Sequence, residues 1–268
     1  MDATHHGLER RTLGRPNCEL SYRVRPSQSG RWVAFLHGAG MDGHMFEAQL
    51  SAVPVKIGII CWDARGHGAS VLHGPFRYLE MCADLEALVD TWGAGSVDVV
   101  GQSMGGNLAQ TFLDRNPAKV NKMALIDCTA NHGQLSRMDK AALRSTRTIL
   151  SLYPWKIAVR QSAQACGVLP ETVHYAQRCL ERIGKKRFVE VMSFWSDALD
   201  PDPSYGLKVP TLAVVGDRDR AGNIQAAMTR LAQMDANTRL VTLSPAAHNS
   251  NMDQPEETNR KLRSFFDW

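Results

Sequence analysis

The sequence of 268 residues lacks any long apolar run. No segment approaches the roughly 18 consecutive apolar residues expected of a membrane-spanning helix. The basic residues near the N-terminus are followed by no apolar stretch that could form the core of a signal peptide. We therefore expect a cytoplasmic protein with no membrane span.

Cysteines at metal-site or redox-site spacing are also missing. The six cysteines include no CxxC pair, and several lie in apolar runs such as IGIICW. A thiol in such a run behaves as a small buried hydrophobe, which indicates a reduced, intracellular protein. The adjacent His5 and His6 have no third partner at helical or hairpin spacing. We therefore expect no metal site.

Charge of neither sign dominates the chain. Lysine and arginine number 31 against 27 aspartate and glutamate, a net charge of +4 that is scattered and not gathered in a basic block. This pattern does not suggest nucleic-acid binding. Hydrophobic residues make up 44% and charged residues 22%, and we find no internal repeat or low-complexity tract. These proportions argue against a disordered, collagen-like or disulfide-stapled chain.

What the sequence does contain is a series of short apolar runs rich in valine, isoleucine and leucine. Amphipathic stretches with helical spacing lie between them, notably Phe76–Trp92 and Met104–Asn116. This alternation predicts the α/β class, with a mostly parallel sheet covered by helices on both faces. The alternating run Cys18–Arg25 predicts an antiparallel edge strand. The six runs that we interpret as buried strands are 32–37, 57–62, 97–103, 123–127, 211–216 and 239–243.

The alternation stops after Asp127. From about 131 to 207 the sequence shows only helix-like segments joined by polar connectors, and Val209-Pro210 then restarts the strand pattern. We therefore predict a core domain formed by residues 1–130 and 208–268, with residues 131–207 inserted as a helical lid. The insertion contains enough large apolar side chains to pack against the core.

The segment from Gly101 to Gly105 reads G-Q-S-M-G and joins the apolar run VDVV to a predicted helix. A nucleophile elbow needs this strand-to-helix context, and glycines two residues either side of Ser103 remove Cβ atoms that would collide in the turn. The elbow would present Ser103 at a helix N-terminus, where N–H groups favour negative charge. The alternative interpretation is a serine helix cap flanked by chance glycines.

A serine hydroxyl is a weak nucleophile, so an elbow requires a base and an acid elsewhere, in the order serine, acid, histidine. Asp217 and Asp219 both follow the run TLAVVG, and His248 follows the next run. A carboxylate and an imidazole at neighbouring strand ends can converge on Ser103.

Taken together, these motifs resemble those of serine hydrolases of the α/β-hydrolase fold, in the lid-bearing group that includes esterases, lactonases and carbon-carbon bond hydrolases. The resemblance extends over essentially the whole chain. The matching segments are His37–Gly40, Asp63–Ser70, the GQSMGG elbow, Gly216–Asp219, His248 and Asp253–Glu256.

The resemblance implies roles for particular residues. The family pattern Gly-x-x-Asp assigns the acid of the triad to Asp219, and Asp217 is the second candidate. Asp127 occupies a position at which some relatives carry their acid. The motif histidines His37 and His67 are expected to orient loops and not to take part in catalysis.

The same resemblance predicts the oxyanion hole. Its two donors are backbone amides, one from the residue after the nucleophile and one from the loop 37–40. We therefore expect the two donors to be the amides of Met104 and Ala39, with the amide of Gly40 as the alternative to that of Ala39. Asp63 and Arg65 resemble a turn-stabilising pair of the family.

We therefore expect a cofactor-free hydrolase that uses water to cleave a small ester or lactone, with Ser103, His248 and Asp219 as its triad. Related dehalogenases and epoxide hydrolases carry aspartate at the elbow, where this chain has Ser103. Carbon-carbon hydrolases remain an alternative, although they often have an aromatic residue where this chain has Asn249. A non-catalytic ligand-binding protein on the same scaffold is the alternative from another class.

The lid is expected to determine the substrate. Its large apolar side chains either line the pocket or pack the lid against the core, and the sequence does not separate these two possibilities. The candidates are Tyr153, Trp155, Met192, Phe194 and Trp195. Substrate identity and oligomeric state stay unassigned.

Overall fold

The computed structural model describes residues 7–133, 137–202 and 206–268. His5 and His6 therefore lie outside the described residues. No helix within the described part of the chain is long and apolar enough to cross a membrane.

The described residues form a single sheet of nine strands. The strands are β1 (Glu9–Arg15), β2 (Cys18–Arg25), β3 (Trp32–Leu36), β4 (Gly58–Trp62), β5 (Val71–Leu72), β6 (Val97–Gln102), β7 (Val120–Ile126), β8 (Thr211–Gly216) and β9 (Thr238–Leu243). Their order in the sheet is β1-β2-β4-β3-β6-β7-β8-β9, and β5 pairs with β2. From β4 to β9 every neighbouring pair is parallel, whereas β1, β2 and β5 pair in antiparallel fashion.

Helices cover both faces of this sheet, so successive residues of the central strands enter different cores. The helices are α1 (Glu47–Ala52), α2 (Tyr78–Thr91), α3 (Met104–Arg115), α4 (Arg137–Leu152), α5 (Trp155–Cys166), α6 (Pro170–Val191), α7 (Trp195–Ala198), α8 (Ile224–Met234), α9 (Ser250–Asp253) and α10 (Pro255–Phe266). In β3, Val33 and Phe35 join one apolar cluster, which α1 and α10 cover, while Ala34 and Leu36 join the other, which α2, α3 and α8 cover.

The strand predictions are confirmed for all six apolar runs, with ends that differ by at most three residues and with an exact match for 211–216. Residues Cys18–Arg25 form the predicted antiparallel strand, β2, but the prediction that this strand lies at the edge of the sheet is wrong. All seven residues of β1 pair with β2, and β4 and β5 pair with the other side of β2. Strand β1 was not predicted because its sequence, ERRTLGR, shows no alternation of apolar and polar residues. Most of its residues are exposed in the structure.

Between β7 and β8, every regular element of the described residues is helical, from α4 to α7. These helices fall within 131–207, and the division of the chain into core and lid stays a prediction. Two buried carboxylates join the inserted helices to the rest of the protein. Asp42 accepts a hydrogen bond from the Tyr175 hydroxyl of α6 at 2.9 Å, and Asp253 accepts one from the amide of Val168 at 3.0 Å.

Candidate active site

Ser103 lies in a strained turn between β6 and α3, with φ of 50° and ψ of −119°. Only small neighbours fit this turn: a Cβ on Gly105 would lie 2.0 Å from the carbonyl oxygen of Leu36. One on Gly101 would lie 2.4 Å from the carbonyl oxygen of Gly105. A non-glycine residue at positive φ costs free energy, so the surrounding sheet and helix must hold it. The turn therefore has the geometry predicted for a nucleophile elbow.

Ser103, His248 and Asp219 form a hydrogen-bonded chain. The Nε2 atom of His248 lies 3.0 Å from Oγ of Ser103, and its Nδ1 atom lies 3.0 Å from Oδ2 of Asp219. The side chain of Asp219 is fully buried and that of His248 is 14% exposed. Each residue follows a different parallel strand, and the carboxyl ends of those strands meet at one edge of the sheet.

The structure also separates the two candidate acids. Asp217 is exposed, and its carboxylate accepts hydrogen bonds from the hydroxyl of Ser244 at 2.7 Å and from the amide of Ala246 at 2.9 Å. These contacts hold the surface turn that precedes His248. Asp219 is therefore the carboxylate of this pair that contacts the imidazole.

Opposing effects act on the pKa of His248. Burial lowers it, while the hydrogen bond and the charge of Asp219, with a further contribution from the charge of Asp127, raise it. The net result is a pKa above the ordinary value for histidine. An imidazole with this environment is a stronger base than an isolated one and is stabilised once it gains a proton.

The two residues predicted to supply the oxyanion donors lie close to Ser103. Met104 is the first residue of α3, so its amide belongs to the group of N–H donors that have no partner within the helix. Ala39 lines the same cavity as Ser103 and His248. The loop that contains Ala39 approaches the serine closely, since a Cβ on Gly38 would lie 3.2 Å from Cβ of Ser103.

A cavity of about 470 Å³ opens above these groups. Its lining includes Ala39, Ser103 and His248. Apolar side chains supply much of the remaining lining, which suits an uncharged organic group of modest size. They include Met41, Leu143, Leu180, Phe188, Met192 and Trp195.

The five large residues singled out in the lid therefore have different surroundings. Met192 and Trp195 line the cavity. Phe194 is buried and stacks on Tyr78, and Trp155 packs against Phe188 with ring centroids 5.6 Å apart. The last of the five, Tyr153, is 36% exposed, and its hydroxyl donates a hydrogen bond to Gln161 at 2.9 Å.

Leu180 and Phe188 line the cavity although the sequence did not single them out. Both belong to α6, and both lie against the backbone at Gly40. Their apolar character was the available signal, but it does not tell which core or cavity a residue faces. Gly184, with φ of 71°, also interrupts the helix between them, so helical spacing could not relate the two positions.

The motif residues His37, His67 and Asp63 support loops. The Nε2 atom of His37 accepts a hydrogen bond from the amide of Ala64 at 2.8 Å, and Asp63 accepts bonds from the amides of Gly43 and Ala69, each at 2.8 Å. Burial lowers the pKa of His37, and it lowers that of His67 to about 3. Neutral, hydrogen-bonded imidazoles suit a structural position.

Arg65 is buried and forms a two-pronged ion pair with Asp84 of α2, at 2.7 and 2.8 Å. This pair holds the turn after β4 against the helix that follows it. The described residues contain no group of three or more histidine, cysteine, aspartate or glutamate side chains that could hold a metal ion.

Comparison with known proteins agrees with this architecture. The chain is 23% identical over 257 residues to 3-oxoadipate enol-lactonase 2 of Acinetobacter baylyi, covering 94% of this chain and 95% of the relative. The crystal structure of the enol-lactonase of Burkholderia xenovorans superposes with a TM-score of 0.81 at 22% identity, covering 96% of this chain and 100% of that one. A thermophilic esterase of Thermogutta terrifontis gives a TM-score of 0.78 at 21% identity, covering 97% of this chain and 98% of the other.

At these identities the solved structures show a common fold. The family description is more specific, because the profile of the alpha/beta hydrolase family matches residues 33–261. That range extends from β3 through the strand ends that carry Ser103, Asp219 and His248 to the C-terminal helix α10. The chain belongs to the alpha/beta hydrolase family.

Proposed function

We propose that the protein is a serine hydrolase that cleaves a small ester or lactone through an acyl-enzyme. The observation that carries the proposal is the hydrogen-bonded chain from Ser103 through His248 to Asp219, in which Ser103 and His248 line a largely apolar cavity. Similarity to an enol-lactonase and to an esterase supports the choice of carbonyl substrate.

In the first half of the reaction, Oγ of Ser103 attacks the substrate carbonyl while Nε2 of His248 takes the hydroxyl proton. The carboxylate of Asp219 holds the imidazole through Nδ1 and stabilises the imidazolium. The amides of Ala39 and Met104 donate hydrogen bonds to the oxyanion of the tetrahedral intermediate. His248 then protonates the leaving alkoxide, and the C–O bond breaks.

In the second half, a water molecule attacks the acyl-enzyme while His248 accepts one of its protons. Collapse of the second tetrahedral intermediate breaks the bond to Ser103, and His248 returns the proton to the serine oxygen. The product is a carboxylic acid, or a hydroxy acid when the substrate is a lactone.

The lining favours substrates with a small to medium apolar acyl group. A volume of about 470 Å³ lies within the usual range for small-molecule sites, on the order of 300–1,000 Å³. Four of the lining residues come from the inserted segment between β7 and β8: Leu180, Phe188, Met192 and Trp195.

The test compares the wild-type protein with Ser103→Ala. We expect the wild type to react covalently with a fluorescent phosphonate and to hydrolyse p-nitrophenyl esters of short to medium acyl chains or simple lactones. We expect the variant to do neither while keeping the circular dichroism spectrum and thermal unfolding of the wild type.

Two outcomes would reject the proposal. A folded wild type that neither labels nor turns over any ester or lactone would favour a ligand-binding protein. Cleavage of a vinylogous diketone with negligible esterase activity would favour a carbon-carbon hydrolase.

A further inference from the structure

A second buried carboxylate lies beneath the proposed triad. Asp127 directly follows β7, is fully buried, and has φ of 46°, in the left-handed region that residues other than glycine rarely adopt. Such strain persists only where the surrounding structure holds the residue in place. The mechanism above gives this side chain no role.

The two oxygens of Asp127 accept hydrogen bonds from two different segments. Oδ1 accepts from the amide of Gly216 at 2.8 Å, and Oδ2 accepts from the amide of Ser250 at 3.0 Å. Gly216 ends β8 three residues before Asp219, and Ser250 lies two residues after His248. One carboxylate therefore ties together the segments that carry the acid and the base.

The backbone beside Asp127 extends this connection to the nucleophile. The carbonyl oxygen of Ile126 accepts a hydrogen bond from the amide of Ser103 at 2.9 Å, and the amide of Asp127 donates one to the carbonyl of Val214 at 2.9 Å. The end of β7 thus contacts the segments of all three proposed triad residues.

We propose that Asp127 is a positioning residue of the triad: its carboxylate fixes the segments of Asp219 and His248 relative to each other, and its negative charge stabilises protonated His248. This inference rests on the proposed function. Two amide donors suit the ionised form of the carboxylate, and a charge in a buried site acts more strongly on its neighbour than one in water.

Among the described residues, four titratable groups interact electrostatically with Asp127: His248, Asp219, Cys128 and Cys166. Burial raises the pKa of the Asp127 carboxyl to about 7, with the charge of His248 lowering it and that of Asp219 raising it. Burial also raises the pKa values of both thiols far enough to keep them neutral near neutral pH. His248 and Asp219 are therefore the groups whose charges couple to that of Asp127.

The test uses Asp127→Asn, which is isosteric but uncharged and leaves one of the two amides without its acceptor. We expect kcat/KM to fall about 10- to 100-fold, mostly through kcat, because the displaced groups are catalytic ones. We also expect the acidic limb of the kcat/KM profile and the pKa of His248 from NMR of labelled histidine to move to lower pH. His248→Gln identifies the resonance.

Asp98→Asn is the matched control. Asp98 is a buried aspartate near the opposite end of β6, and burial raises its pKa to about 6, yet it contacts Arg31 and not the proposed triad. We expect this variant to leave the pKa of His248 and the acidic limb unchanged.

If the pKa of His248 does not change in Asp127→Asn, the proposal is overturned. A loss of stability and an equal loss of rate at every pH would then be the effects expected of a purely structural residue. The NMR titration does not need turnover, so it distinguishes this failure from failure of the proposed hydrolysis. If Asp127→Asn does not fold, the NMR pH titration of the wild type tests the proposal instead. The amide chemical shifts of Gly216 and Ser250 must then change with the same midpoint as those of the His248 ring, and different midpoints would overturn the proposal.

Discussion

The hydroxyl oxygen of Ser103 and the Nε2 atom of His248 lie 3.0 Å apart, although 145 positions separate the two residues in the sequence. The parallel strands β6 and β9 carry them to the same edge of the sheet, with β7 and β8 between. An elbow turn and a loop then direct the two side chains toward each other, beside a cavity that can hold a substrate.

The pKa of His248 predicts the acidic side of the pH profile. The imidazole accepts a proton from Ser103 only when it is neutral, so kcat/KM must fall as the pH drops through this pKa. Because the hydrogen bond with Asp219 and the charges of Asp219 and Asp127 together outweigh the effect of burial on the pKa, the midpoint should lie above the ordinary 6.5. Measured kcat/KM that stays constant well below pH 6.5 would contradict this.

The two aspartates after β8 should differ sharply on substitution. Asp219→Asn keeps the shape of the side chain but no longer stabilises the correct tautomer or the charge of His248, so we expect kcat to fall by roughly 10⁴-fold. Asp217→Asn alters an exposed turn and should change kcat by less than about threefold. Steady-state assays with one ester test both variants, and the reverse ranking would assign the acid to Asp217.

The elbow should not tolerate a methyl group at Gly105. In Gly105→Ala the new Cβ would overlap the carbonyl of Leu36, so the turn must open, at a cost of about 3 kcal/mol or more in the free energy of unfolding. Gly14→Ala in β1 is the control, because no heavy atom beyond Gly14 and its two chain neighbours lies within 4 Å of the new Cβ position. Urea unfolding of both variants provides the comparison, and equal stability would show that the elbow is not this tight.

Filling the cavity should shorten the acyl chain that the protein accepts. Met192→Trp adds bulk to the lining, so we expect hydrolysis of medium-chain p-nitrophenyl esters to fall at least about 10-fold relative to the acetate ester. Leu152→Trp places the same side chain on the exposed end of α4, where Leu152 is 81% exposed, and should leave the profile unchanged. Identical profiles for the two variants would exclude Met192 from substrate binding.

Local pattern was enough to predict much of the fold and of the candidate site. The alternation of apolar runs with amphipathic stretches predicted the α/β class, because buried parallel strands need apolar residues on both faces. The GQSMG turn, the pair Asp217 and Asp219, and His248 are each visible in short segments at strand ends. The structure brings Ser103, Asp219 and His248 within hydrogen-bond distance, and their catalytic roles stay predictions.

Other features depend on contacts between distant segments. Strand β1 is polar and exposed, so only its pairing with β2 identifies it as a strand. Met192 and Phe194 are both apolar residues of one turn, yet Met192 faces the cavity and Phe194 stacks on Tyr78. Helical periodicity places residues on a face, but which neighbour covers that face is decided by packing.

The surroundings of Asp127 show the same division. In the sequence it is one acidic residue after one apolar run, at a position where some relatives carry their acid. Its hydrogen-bond partners Gly216 and Ser250 lie 89 and 123 positions away. The sequence alone determined which residues lie at the ends of strands, because strands and turns depend mainly on the residues within short segments. The tertiary structure decided which of those residues touch, because only the order of strands in the sheet brings their ends together.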